Sequence, residues 1–407
     1  MYLSLLARAL KSGAVTMNGN GNGLMKRLII ILIVGFYAHV ACASPWVIGL
    51  DTDLSSTAKV AGVAISQGAQ LAIDEINSSG GILGEQVVLI SKDHRGNPAR
   101  GLANIKSFSQ NDRLLAVIGG VHTPVALAEL PIIHQNSIIY LDPWAAGTPI
   151  VKNGYQPNYV FRLSIRDEWA GQVILNKAKQ QGCESITLFL EQTGWGRSNE
   201  KSMSQASIEL ALPILNIEWF NWNSQILDKL VEKTVTDGSK CIAVVANSLE
   251  GADIIRAIAN LDPQLRPKVF SHWGISSGDF TNRVGLDLLS NVELYYLQTL
   301  ALNSPKTPVG ILLKNNFETK YGKPVGHNSF NGAAHAYDLV HLLALAIKLS
   351  GSTESPKVRT ALENLTTFKG AMKTYSKPFS AGQHEALDIS DYLMLKFNNQ
   401  GYGEVAQ

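Results

Sequence analysis

The stretch VIGGVHTPVALAEL, Val117 to Leu130, runs an apolar segment into two glycines, then His122, Thr123 and Pro124, and then at once into an amphipathic segment. Gly119 and Gly120 would let main chain approach a bound group with no Cβ in the way. Thr123 suits an N-cap and Pro124 a first helical position, so the N–H groups of the next turn would point outward beside a hydroxyl. Such a tip attracts anions. His122 stands next to it and is a further candidate. The other titratable residues do not assemble into a reaction centre. The nine histidines and 33 acids contain no HExxH, no paired CxxC and no GxSxG. His94, His122 and His134 fall on different elements, and His335 and His341 are six apart on one helix, off a common face. Ser204 and Ser207 have no base at a useful spacing, so a hydrolase is a poor reading. The residues suggest binding rather than turnover, with no metal and no cofactor.

The elements that must carry this tip alternate along the chain. WVIGL precedes a helical stretch from Ala58 to Asn77, with Val60, Ala64, Ala69, Ala72, Ile73 and Ile76 roughly on one face. QVVLISKD, a helix capped by Asn97 and Pro98, LLAVIGG, a helix from Pro124 to His134 and SIIYLDP follow. The pattern restarts at Trp169, with ESITLFL, PILNIEWF, CIAVVAN and PKVFSHW separated by helical segments. Strands alternating with helices imply parallel sheets covered on both faces. Two such runs predict two Rossmann-like α/β lobes. No long Pro-rich or Ser-rich linker separates them, so the tail, with its apolar helix Phe330 to Leu349 and terminal strand DYLMLKF, must be shared between them. The boundaries expected are residues 44–163 with about 300–370 for the first lobe, and 164–299 with about 371–407 for the second.

IGLDTDLSSTA, QGAQLAIDEINSSGGILGEQVVL, DHRGNPARG, LLAVIGGVHTPVA, SIIYLDPWAAGTP, YVFRLS and GAAHAYDLVHLLALAI, in that order and spacing, resemble the type I periplasmic solute-binding proteins of ABC importers, of the branched-chain amino acid and amide binding kind. The resemblance covers essentially all of the chain after residue 43. It implies two lobes joined by three hinge crossings and closing on a small ligand. It implies that the Thr123 hydroxyl meets a ligand carboxylate, that the backbone of Ala145, Ala146 and Gly147 serves carboxylate and ammonium, and that Trp195 lids the ligand from the second lobe. Ala146 lacks the hydroxyl often found there, so only its backbone can act. Where such proteins place an acid to hold an ammonium, this chain has Trp273, preceded by His272. A bare ammonium in a closed cleft is expensive to desolvate, so Asp51 and Asp142, at two first-lobe strand ends, are candidates to supply the charge, with a turn role before Pro143 as the alternative for Asp142. Trp144 and Asn247 complete the candidate set. Tryptophan in place of the acid points to a flatter, more apolar or neutral ligand: an aromatic or aliphatic acid, an amide or a urea-like molecule.

At 407 residues, 45% hydrophobic and 17% charged, the chain is long enough for two cores. Lys26 and Arg27, the apolar run Leu28 to Ala38 and Ala41-Cys42-Ala43 read as a secretory signal with cleavage after Ala43, and with Met1 or Met25 as the start. Lipid attachment at Cys42 is the alternative, although His39 sits where an aliphatic residue would be wanted. Residues 1–43 hold Arg8, Lys11, Lys26 and Arg27 and no acid, so removing four charges from the net +2 leaves −2. A nucleic-acid partner needs a basic excess that this mature chain lacks. Cys183 and Cys241 each precede an apolar run. The alternatives are a disulfide, which an oxidising compartment permits, and two half-buried thiols. The expectation is an exported, periplasmic, monomeric solute-binding protein delivering a small-molecule ligand to an ABC permease, with a sensor of the same fold or an amide-type hydrolase as alternatives.

Overall fold

The computed structural model describes residues 44–301, 305–323 and 330–406. The expected signal, its cleavage point and Cys42 lie outside the described residues. Five parallel strands, β1 (Trp46–Thr52), β2 (Val87–Asp93), β3 (Leu114–Ile118), β4 (Tyr140–Asp142) and β5 (Val160–Arg162), form the first sheet in the order β2-β1-β3-β4-β5. They are connected through α1 (Lys59–Ser78), α2 (Pro98–Phe108), α3 (Thr123–Gln135) and the one-turn α4 (Thr148–Val151). The second sheet takes β6 (Ile186–Glu191), β7 (Ile214–Phe220), β8 (Cys241–Val245), β9 (Lys268–Ser271) and β10 (Leu294–Gln298), alternating with α5 (Asp167–Gln180), α6 (Gly194–Leu210), α7 (Leu227–Thr236) and α8 (Ser248–Ala259). The tail supplies α9 (Pro308–Tyr321), α10 (Phe330–Ser350), α11 (Ser355–Glu363), the small pair β11 (Phe368–Lys369) and β12 (Thr374–Tyr375), and finally β13 (Leu393–Phe397) and β14 (Gly403–Val405). The second sheet's order is β14-β13-β10-β9-β8-β6-β7, antiparallel only where β13 meets its two neighbours.

The strand-helix alternation read from the sequence is therefore the architecture. Strands such as β6 and β8 are buried at every residue, as parallel strands must be when helices cover both faces. Local chemistry fixes the helix starts. Asn97 Oδ1 accepts from the Ala99 and Arg100 N–H groups with Pro98 in the first turn, and Thr193 Oγ1 accepts from Trp195 and Gly196. Asp53 accepts from Ser55, Ser56 and Ala58 and so holds the entry to α1. Thr123 departs from the expected cap: it is the first residue of α3, and His122, extended at φ −110°, occupies the cap position without capping the helix through its side chain.

The apolar helix α10 packs on α1 so closely that a Cβ on Gly68 would stand 2.1 Å from the Ala333 carbonyl oxygen, which ties the tail to the first sheet. The segment after it stays there. Asp338 of α10 accepts from the Ala371 and Met372 N–H groups at 2.6 and 3.0 Å and from the Tyr375 hydroxyl at 2.8 Å. Ala386 N–H donates to Arg162 C=O of β5 at 2.8 Å. Residues 371–386, grouped by sequence with the second lobe, thus bond to elements of the first sheet. The chain returns to the second sheet only at β13, because buried Asp338 and Arg162 hold it back.

Cys183, just before β6, and Cys241, opening β8, are joined as a disulfide with Cα atoms 6.2 Å apart. The neighbouring parallel register of β6 and β8 brings them together.

Candidate ligand-binding cleft

Ligands of open parallel sheets bind beyond the carboxyl ends of the strands, and a small, nearly closed cavity of about 10 Å³ lies there, between the two sheets. Its wall takes Val121, His122, Thr123, Pro124, Trp144 and Ala146 from the first half, and Glu191, Trp195, Asn247, Trp273 and Gly274 from the second. Seven of the residues expected from sequence are thus brought together: His122, Thr123, Trp144, Ala146, Trp195, Asn247 and Trp273.

On the first half, the tip of α3 points into the cavity. Both Val125 and Ala126 N–H groups are taken by the His122 carbonyl, so the Thr123 hydroxyl is the polar group the tip offers. Its oxygen accepts from Gly147 N–H at 3.2 Å, which leaves its proton to donate. The neighbouring loop is more occupied than expected. Ala145 N–H donates to Asp142 Oδ1 at 2.8 Å and to the Gly120 carbonyl. Arg162 Nη1 donates to the carbonyls of Ala145 and Gly147, each at 2.9 Å, and Asp167 N–H takes the Ala146 carbonyl at 2.9 Å. The N–H and C=O of Ala145 and Gly147 are therefore bonded inside the protein, and neither residue lines the cavity. Ala146 N–H is the loop donor left over.

The two aspartates also depart from expectation. Asp142 receives the Trp144 and Ala145 N–H groups at 2.9 and 2.8 Å. It shapes the turn instead of facing the cavity, and burial, opposed by Arg162 and those N–H groups, pushes its carboxyl up to about 8. Asp51 lies off the cavity beside Asn104, which donates at 2.7 Å, and buried Glu129, itself bonded by the Tyr140 hydroxyl at 2.7 Å. Burial raises Asp51 to about 6 against the hydrogen bonds of Glu129 and Asn104 and holds Glu129 well above the usual carboxylate range. Asp142 ends β4 and Asp51 stands one residue before the end of β1, and neither lines the cavity.

The acid that faces the cleft is Glu191, the last residue of β6. Its Oε1 accepts from the Thr193 hydroxyl at 2.6 Å, and its Oε2 from Trp222 Nε1 at 2.9 Å and Asn247 Nδ2 at 3.0 Å. Burial outweighs these donors and pushes its carboxyl up to about 7. The sequence carried a signal for it, since Glu191 closes an apolar strand ahead of a capped helix, as Asp142 closes its strand and Asp51 stands next to the end of its own. The same rule nominates all three, and only the packing selects among them.

Tryptophans supply the apolar surface. Trp144 and Trp273, from opposite halves, stack with centroids 4.2 Å apart and planes at 17°. Trp195 stands edge-on to His272 at 4.9 Å, and its Nε1–H donates to Asp167 Oδ1 at 3.1 Å. His272 Nε2 shares that oxygen at 3.0 Å. His335 lies under the stack, 5.9 Å from Trp273. Burial lowers it to about 4, so the ring is neutral near pH 7. Nδ1 meets the Pro143 carbonyl at 2.8 Å and Nε2 the Thr299 hydroxyl at 2.9 Å. A carbonyl can only accept, which assigns the proton to Nδ1. His94 and His122, dispersed in sequence, come within 5.7 Å of each other.

The family model described as "Periplasmic binding protein" matches residues 45–389. "Leu/Ile/Val-binding protein homolog 1" of Brucella abortus (strain 2308) is 24% identical over 361 residues, covering 88% of this chain and 91% of that protein. Among solved structures, a periplasmic binding protein type 1 from Bordetella pertussis Tohama I superposes with a TM-score of 0.79 at 17% identity, covering 89% of this chain and 100% of that one. LivJ of Streptococcus pneumoniae, a branched-chain amino acid transporter substrate binding protein in complex with isoleucine, gives 0.76 at 20% identity over 89% and 99%. A solute binding protein of an ABC transporter from Rhodopseudomonas palustris BisB5, in complex with 3,4-dihydroxybenzoic acid, gives 0.74 at 15% identity over 88% and 95%.

Proposed function

This chain belongs to the type I periplasmic binding protein family, and we propose that it is the exported solute-binding component of an ABC importer, working as a monomer in the periplasm. The ligand is a small organic molecule with an oxygen-bearing end and an apolar or planar body. The oxygen-bearing end docks on the Thr123 hydroxyl and the Ala146 N–H. A donor group at the other end, an ammonium, amide or hydroxyl, faces Glu191 and Asn247. The body lies against Trp195 and the Trp144–Trp273 pair. Closure of the two lobes about their crossings completes the site, and a membrane permease receives the ligand from the closed form.

The observation that carries this reading is that Thr123 and Glu191 line one cavity from opposite halves of the molecule. A seat for negative charge at a helix tip and a buried carboxylate opposite it suit a ligand with an acceptor at one end and a donor at the other. 3,4-Dihydroxybenzoic acid, the ligand of one fold relative, has that form, whereas isoleucine, the ligand of another, carries acceptor and donor on one carbon with an apolar body beyond. The test is a thermal-shift screen of amino acids, amides, urea derivatives and aromatic or aliphatic acids, followed by calorimetry. A ligand at 100 times its Kd adds about 2.7 kcal/mol to the folded state. A saturable rise in melting point with one chemical class is expected. No rise across the panel would remove the reading.

A further inference from the structure

Trp222, in the turn after β7, lies outside the cavity wall but touches both halves of the molecule. Its Nε1–H donates to Glu191 Oε2 at 2.9 Å, the oxygen that also accepts from Asn247. Its ring stands against His122 of the first half, with centroids 5.2 Å apart and planes at 53°. A Cβ on Gly96, also of the first half, would come within 3.3 Å of Trp222 Cζ3. The turn is anchored from behind: Asn223 adopts φ 58°, a left-handed conformation that asparagine tolerates, and donates its N–H to Glu250 Oε1 at 2.8 Å. On the far side the His122 ring is fixed by Asp53, Nε2 to Oδ2 at 3.1 Å.

The polar atom of Trp222 is thus satisfied within its own half, while its ring covers the other. Opening the cleft would leave the bond to Glu191 intact and strip the ring from His122 and Gly96. Polar contacts also cross between the halves, Ala61 N–H to the Ser277 carbonyl at 3.1 Å, the Ser248 hydroxyl to the Thr57 carbonyl at 3.5 Å and Thr148 N–H to the Ser198 hydroxyl at 3.1 Å, while Trp144 stacks on Trp273 inside the cleft. An apolar ring contact that exists only when the halves meet is a closure element.

We propose that Trp222 is a positioning residue for closure: Glu191, on the cavity wall, aims the indole so that its ring seals against His122 and Gly96 across the lip. The carboxylate that faces the cavity then also sets the contact that holds the two halves together. The role in ligand retention rests on the solute-binding reading above, whereas the lip contact itself can be tested without any ligand.

Three variants separate the parts: W222A removes the ring, W222F keeps a ring without the N–H, and E191Q keeps an acceptor oxygen without the charge. Small-angle scattering of the ligand-free protein should show W222A shifted to a larger radius of gyration than wild type, with W222F between them. With isoleucine and 3,4-dihydroxybenzoate as probes, stopped-flow release should be about two- to tenfold faster in W222A, the range expected for loss of one aromatic contact, at an unchanged association rate. E191Q, whose amide oxygen still accepts from the indole N–H, should scatter like wild type, and combining it with W222F should add nothing to the scattering change of W222F alone. A W222A protein with wild-type scattering and wild-type release, even at a lowered melting point, would overturn the proposal. W222F behaviour identical to wild type would overturn the aiming role of Glu191. Failure of every screened compound to bind wild type, with the scattering difference intact, would sink the solute-binding reading and sustain the lip contact.

Discussion

On the first-half wall of the cleft the polar groups are the Thr123 hydroxyl and the Ala146 main-chain N–H, held by a helix tip and a turn, and the His122 ring, whose Nε2 is tied back to Asp53. On the second-half wall they are side chains: Glu191, Asn247, Trp195 and Trp273. The first wall depends on main-chain geometry. Arg162 pins the carbonyls of Ala145 and Gly147 while bonding Glu385 through both of its other nitrogens, at 2.8 and 2.6 Å. A seat of that kind accepts any acceptor-bearing end of the right size. The second wall can be altered by substitution with no change of backbone, so under the proposed function discrimination between ligands would fall to it.

Four experiments can break or sharpen this contrast. The largest effect is expected from Trp273→Ala, which empties the space between Trp144, Trp195 and His335. Urea unfolding should show a loss of about 3–5 kcal/mol, and the fluorescence response to ligand should fall with it. A small loss would mean that the stack contributes little to the folded state. Thr123→Ala should weaken ligand binding by about 1–3 kcal/mol in calorimetry, the cost of leaving a buried partner unpaired. Equal affinity for the variant and wild type would remove Thr123 from the seat.

Trp195→Phe keeps a ring and deletes the N–H donated to Asp167. A stability loss of about 1–3 kcal/mol is expected from leaving the buried Asp167 oxygen without that donor. The same loss in ligand-free and ligand-bound protein would confine Trp195 to a structural role.

The last effect is a pH dependence. Glu191 is pushed up to about 7 by burial, above an unfolded value of about 4.3. Its contribution to stability is therefore complete below about pH 4.3 and lost as pH rises through about 7. Glu191→Gln removes this titration. Wild type should lose unfolding free energy relative to E191Q between about pH 5 and 8, with parallel curves as the contrary result. Asp142, at about 8, is the first-half counterpart, and Asp142→Asn should show the same divergence at higher pH.

The fold was legible because its signals are local and repeated. Alternating strand and helix periods, the Asn97-Pro98 cap and the glycines before α3 each specify their own element. The helix tip at Thr123 was legible for the same reason. Which acid reaches the cleft was not, because Asp51, Asp142 and Glu191 all lie at or next to strand ends, and only tertiary partners, Asn104 for Asp51 and the turn N–H groups for Asp142, set two of them apart from Glu191. The occupation of Ala145 and Gly147 by Arg162 depends on β5 lying beside β4, and the stack of Trp144 on Trp273 on two loops from different sheets meeting. Neither leaves a periodic trace in the chain.

The disulfide has a consequence at a distance. Cys183 and Cys241 sit at the amino ends of β6 and β8, and the opposite ends of those strands lead to Glu191 and Asn247, which bond to each other. One strand pair is thus riveted at its foot by a covalent bond and at its head by a carboxylate-amide contact. A slip of one residue between the strands would break both fastenings and turn Glu191 away from its partner. Closing a 58-residue separation is worth about 4 kcal/mol in the chain-entropy account. The covalent bond at one end therefore also sets the alignment of Glu191 with Asn247 at the other.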